Sequence, residues 1–239
     1  MSFYFCNIII IGIHQKKALG CDLRRQPKLQ PWNLRLLNIM LRRIVGNKTE
    51  TFLNKAAPFL LRHHITPTLL TLTGLSINMV GALCFYVGFM VAGGFVILFA
   101  GLFDMLDGSV ARAGGQASPF GAFTDSVVDR YSDFIIFGGI LAHFAAKADL
   151  LMTVLTAVAI CGAFLVSYVR ARAELMIAKC AVGLMERPER IILLGAGAIF
   201  GFLNAALWVL AITTHMTALH RIYYTRRETR RAQRQEESI

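Results

Sequence analysis

The chain has 239 residues, 56% of them hydrophobic and only 16% charged, with a mean hydropathy of +0.56. A soluble domain carries about 25% charge, and disorder needs low hydrophobicity, so both classes are excluded and an integral membrane protein remains. The net charge of +11 would also suit a nucleic-acid binder, but an apolar middle argues against one, and no nucleic-acid partner is expected.

Residues 1–50 hold nine Lys/Arg against two acids, residues 221–239 hold six against three, and the 170 residues between hold ten against nine. Basic ends beside apolar spans belong on the cytoplasmic side, facing anionic lipid. The apolar run Phe3–Ile13 is too short to span. It has no basic stretch before it and no A-x-A-like site after it, so it makes a poor signal peptide. Residues 1–39 therefore read as an N-terminal extension, or as the product of a start codon placed too early, ahead of a plausible start at Met40. Residues 40–65 follow as an amphipathic interfacial segment, with Phe52, Leu53, Ala56, Leu60 and Leu61 on its apolar side.

No Lys, Arg, Asp or Glu occurs in the 41 residues from His63 to Phe103. As helix that is about 60 Å, twice a bilayer core of about 30 Å, so the stretch crosses twice with a turn near Gly88–Gly94. Leu150–Val169 is a further charge-free run, and so is Ile191–His220, with a turn at Gly201–Asn204. The expected fold is all-α and integral to the membrane, with six transmembrane helices at about 66–88, 92–112, 119–145, 149–172, 187–202 and 204–222. They form one domain over 66–222, preceded by the interfacial helix and followed by a basic tail at 223–239. Six spans put both termini on one side. That side also receives Arg112, Arg170, Arg172, Lys179, Arg187 and Arg190, and the other only Lys147 beside Asp149, a positive-inside pattern that places the termini in the cytoplasm of a cell (inner) membrane protein. Gly74, Gly81 and Gly88 recur every seven residues, which suits close helix packing. The five cysteines show no C-x-x-C pair. They suggest neither a disulfide framework nor a zinc site, and Cys84 and Cys161 read as packing residues.

A charge within a bilayer costs several kcal/mol and so faces a cavity or a partner. Asp104 and Asp107 end the second span at i, i+3, and Asp125 and Asp129 open the third at i, i+4, so each pair shares a helix face. The loop Gly114-Gly115 to Ser118-Pro119 brings the two ends together. Four carboxylates cannot converge unpaired. Hard divalent cations, Mg²⁺ or Mn²⁺, relieve the repulsion, and two metals about 4 Å apart are a recurring device for phosphoryl transfer. The competing reading makes these aspartates interfacial caps paired with Arg112 and Arg130; it suits one aspartate better than four.

The stretch Asp104-Met-Leu-Asp107-Gly108-Ser-Val-Ala111-Arg112, eight residues, then Gly121-Ala-Phe-Thr-Asp125-Ser-Val-Val-Asp129 resembles the CDP-alcohol phosphotransferase pattern D-x-x-D-G-x-x-A-R-x8-G-x3-D-x3-D at all eight defining positions. The resemblance covers about residues 40–225. It implies that an acceptor hydroxyl attacks the β-phosphorus of CDP-diacylglycerol or a similar CDP-lipid and that CMP leaves. By the same resemblance Asp104, Asp107, Asp125 and Asp129 are metal ligands, Asp129 is also the general base, and Gly108, Arg112 and Ser118 contact the CDP moiety. Pro67, Thr68, Leu69 and Leu70 match a nucleotide-contacting stretch, although many relatives have Pro-Asn where this chain has Pro67-Thr68. Relatives are often homodimers, and a homodimer is expected here.

The acceptor is read from two further stretches, Ser167-Tyr-Val-Arg170-Ala-Arg172-Ala-Glu174 and Gly183-Leu-Met-Glu186-Arg187-Pro188-Glu189-Arg190. Both resemble those of phosphatidylinositol-phosphate and archaetidylinositol-phosphate synthases. Arg170, Arg172, Arg187 and Arg190 would bind the phosphate of inositol 1-phosphate, as arginine suits bidentate phosphate binding. Related motifs occur in phosphatidylglycerophosphate synthases, so glycerol 3-phosphate is the alternative acceptor. The bland reading of these arginines is positive-inside topology. A cation transporter is the rival of a different class, but it requires carboxylates near mid-bilayer and a path to the far side. A scaffold would not need the eight-position pattern.

Overall fold

The computed structural model describes residues 66–236, except 116–117, 178–179 and 184. The expectations for residues 1–39 and for the interfacial segment 40–65 fall outside the described residues. Those described lie within one unit, Glu50–Ile239.

Six helices follow one another: α1 Pro67–Val87, α2 Met90–Ala113, α3 Pro119–Ala146, α4 Leu150–Ala173, α5 Arg187–Ile199 and α6 Leu203–Glu236. Their starts are written in cap chemistry. Thr66 Oγ1 accepts from Leu69 N at 3.3 Å, Ser118 Oγ from Gly121 N at 3.0 Å, and Asp149 Oδ1 from Met152 N at 3.0 Å. Each satisfies an amide that has no partner inside its helix. Pro67 and Pro119 stand at the first helical position, where a missing N–H costs nothing. The turns fall near the expected places. Gly88 (φ +100°) ends α1, and Gly201 (φ +77°) separates α5 from α6; both angles favour glycine.

Packing runs α1 on α2 and α3, α3 on α4, α2 on α5, and α6 on α4 and α5. The core holds Phe85, Ile97, Ile136, Phe137, Ile140, Leu194, Leu207 and Leu210, all fully buried. The outer faces are apolar as well: Leu83, Phe95, Phe99, Val154 and Phe164 are exposed. Helices that are apolar all round belong in a membrane. α1, α2 and α4 are each long and apolar enough to cross one. α3 carries four charges between Asp125 and Asp133, and α5, at 13 residues, reaches only about 20 Å.

Three details depart from the sequence reading. Of the heptad glycines, Gly74 and Gly81 do pack α1 against α2, whereas Gly88 is a left-handed helix cap. Cys161 faces outward instead of packing inside. The basic stretch from residue 223 is helical, because α6 continues through it to Glu236.

Candidate active site

The acidic residues meet where α1, α2, α3 and α5 converge. Gly74 lets α2 approach so closely that a Cβ there would stand 3.0 Å from Asp104 Oδ1. Asp107 is buried and accepts from Thr71 Oγ1 at 2.7 Å; the same hydroxyl also reaches Pro67 O at 3.0 Å. Asp104 and Asp129 lie on one nitrogen: Arg187 Nη1 is 2.6 Å from Asp104 Oδ2 and 2.7 Å from Asp129 Oδ1. The two helix ends thus come together as the paired spacing requires. Arg130 Nη1 stands 3.5 Å from the other Asp129 oxygen.

A cleft of about 610 Å³ opens beside them, with Asp107 and Asp125 on its wall. Pro67, Thr68, Gly108, Arg112 and Ser118 line it too. Leu69 and Leu70 do not. Leu69 points outward at 54% exposure, and Leu70 is buried against Val110, Phe103 and Leu106. One member of each aspartate pair therefore faces the cleft, and the other meets Arg187. At Gly108 a Cβ would come within 3.3 Å of Arg112 Nη1, so the glycine leaves the arginine room over the backbone.

The four arginines differ in what they contact. Arg187 and Arg190 reach the acidic cluster. Arg190 Nη2 binds Asp133 Oδ2 at 2.6 Å, with both side chains 2% exposed, and Arg187 Nε stands 3.4 Å from Asp133 Oδ1. Arg170 instead pairs with Glu174 at 3.1 Å. Arg172 lines a different cavity, between α4 and α6.

Two residues of the site went unassigned in the sequence reading. Asp133 holds both arginines, and Thr71 orients Asp107. Asp133 continues the i+4 series from Asp125 and Asp129, and Thr71 lies one helical turn beyond Pro67. Both spacings are visible once a face is being followed rather than a motif.

The donor set is all carboxylate oxygen, the chemistry Mg²⁺ and Mn²⁺ prefer. Among the described residues no three Asp, Glu, His or Cys side chains close on one metal-sized point. Arg187 stands as a cation between Asp104 and Asp129. The residues fit a divalent cation by type and by charge.

The family model for CDP-alcohol phosphatidyltransferases matches residues 64–220. The phosphatidylinositol phosphate synthase of Mycobacterium marinum is 39% identical over 181 residues, 71% of this chain and 77% of that protein. The archaetidylinositol phosphate synthase of Pyrococcus horikoshii is 36% identical over 160 residues, 66% of this chain and 82% of that protein. The crystal structure of Mycobacterium tuberculosis phosphatidylinositol phosphate synthase with CDP-DAG bound superposes with a TM-score of 0.66 at 34% identity, covering 72% of this chain and 92% of that one. A second structure of that enzyme is a complex with manganese and citrate. The pattern of aspartates, the cleft beside them and the family match lead to one conclusion: the chain belongs to the CDP-alcohol phosphatidyltransferase family.

Proposed function

We propose that this phospholipid-synthesising transferase moves a phosphatidyl group from CDP-diacylglycerol to inositol 1-phosphate. The observation that carries the reading is the cleft itself: five residues expected to touch the CDP moiety line it, and Asp107 and Asp125 stand on the same wall. The relatives named as inositol-phosphate lipid synthases support the acceptor.

Asp104, Asp107, Asp125 and Asp129 would hold two Mg²⁺ or Mn²⁺ ions. When bound, the ions offset charge on the pyrophosphate and on the leaving CMP. Arg112 forks onto a phosphate of the CDP group, and the absent side chain of Gly108 lets the nucleotide approach the backbone. Asp129 takes the proton of the acceptor hydroxyl as its oxygen bonds to the β-phosphorus, and the bond to CMP breaks. Arg187, on the Asp129 side of the cluster, presents positive charge to an anionic acceptor, with Arg190 and Asp133 bracing it. The bundle sits in the cell membrane with its reacting end and both termini in the cytoplasm, and it pairs as a homodimer. The basic loops at that end support this orientation.

Metal-dependent release of CMP from CDP-diacylglycerol, assayed with inositol 1-phosphate, glycerol 3-phosphate and free inositol, tests the proposal. Inositol 1-phosphate should be the best acceptor and free inositol inert. A strong preference for glycerol 3-phosphate would overturn the acceptor and leave the reaction. A preference for the uncharged alcohol would overturn the role of Arg187.

A further inference from the structure

Away from the aspartates, the C-terminal turns of α4 and the late part of α6 enclose a second cavity of about 430 Å³. Its wall is apolar, with Val169 and Met176 on one side and Ile222 on the other. Arg172, Arg226 and Arg230 also line it and are exposed. Ile222, Arg226 and Arg230 stand four residues apart, so they share one face of α6. They do so only because the helix continues to Glu236.

These guanidinium groups are not spoken for by the acids nearest them in sequence. Glu174 is taken by Arg170, and Glu228 by Arg231 at 2.9 Å. Depth in the membrane decides what such a cavity meets. α6 has 34 residues, about 51 Å of helix, against a bilayer core of about 30 Å. Its last turns therefore lie at or beyond the headgroups, next to the end of α4. Tyr168 and Tyr223, each 65% exposed, mark the interface level where tyrosine concentrates. An apolar hollow with a cationic mouth at that depth is complementary to an amphiphile with an anionic head.

We propose that this cavity is a binding site for one anionic phospholipid, separate from the substrate cleft. An acyl chain lies along Val169, Met176 and Ile222, and the headgroup phosphate lies among Arg172, Arg226 and Arg230. Arg172, two residues from Arg170, thus serves the lipid and not the acceptor.

The test is native mass spectrometry of the full-length protein in detergent, with phosphatidylglycerol or phosphatidylcholine added. The wild-type chain should retain one phosphatidylglycerol per chain in clear preference to phosphatidylcholine. At about fivefold per arginine near a charged surface, Arg226→Gln/Arg230→Gln should weaken phosphatidylglycerol retention by roughly 25-fold and leave phosphatidylcholine unchanged. Arg226→Lys/Arg230→Lys should keep most of the preference. Arg112→Gln, in the substrate cleft, should not alter it, and millimolar inorganic phosphate should not displace the lipid. Equal retention of the two lipids by the wild-type chain would overturn the proposal. So would loss of the preference in Arg112→Gln, displacement by phosphate, or a dimer that the double Gln variant splits while no lipid is retained.

Discussion

Asp133 lies outside the eight-position pattern, yet it braces both arginines of the acidic cluster. Removing one partner of a buried pair strands the other charge, at about 3–5 kcal/mol. Asp133→Asn is expected to lower stability by about that amount, read as a drop in the thermal unfolding temperature in detergent, and to raise the acceptor KM because Arg187 loses its brace. Asp129→Asn should behave differently. Its turnover should fall about 10²- to 10⁴-fold, the contribution of a positioned base, while CDP-lipid binding persists; CMP release and CDP-lipid binding measured on one preparation separate the two. The aspartates were legible in sequence because i, i+3 and i, i+4 spacing fixes a face. The same rule explains how other candidates are placed. Arg170 and Arg172 are two apart and so face different ways, toward Glu174 and toward the cavity between α4 and α6. Pro67, Thr68, Thr71 and Leu72 form the cleft face of α1, and Leu69 and Leu70 fall off it.

At the level of helices, α1 works as a spacer whose glycines have different duties. A Cβ at Gly81 would stand 2.8 Å from Ile97 Cγ2, in the packed core, and one at Gly74 would stand 3.0 Å from Asp104 Oδ1. Gly81→Ala should therefore cost stability, about 1–3 kcal/mol for overpacking, with kcat nearly intact in the folded fraction. Gly74→Ala should do the reverse, shifting a carboxylate that Arg187 already pins at 2.6 Å and lowering kcat more than stability. Unfolding and CMP-release assays on the two variants should show this crossover. The helix limits were readable from charge-free runs, caps and glycine turns, to within about three residues for the first five helices. The C-terminal limit of α6 was not readable that way, because its continuation past residue 222 is polar helix, without the apolar signal that marks a span. Stripes of small residues likewise say that helices touch, and only the fold says which neighbours they meet.

Across the whole bundle, the acidic cluster is assembled from α2 and α3 but partly offset from α5, by Arg187, 83 residues away from Asp104 in sequence. Chelation of divalent ions should stop CMP release, yet leave the thermal unfolding of the wild-type chain nearly unchanged. Arg187→Ala should make that unfolding strongly dependent on added Mg²⁺ or Mn²⁺; an equal metal dependence in both chains would contradict the account. Many small metallo-domains fold only as the ion arrives, because binding the ion supplies the folding free energy. Here Arg187 already offers positive charge to Asp104 and Asp129. With the proposed metal site, a newly made bundle is therefore expected to stand folded and resistant to proteolysis before any ion loads.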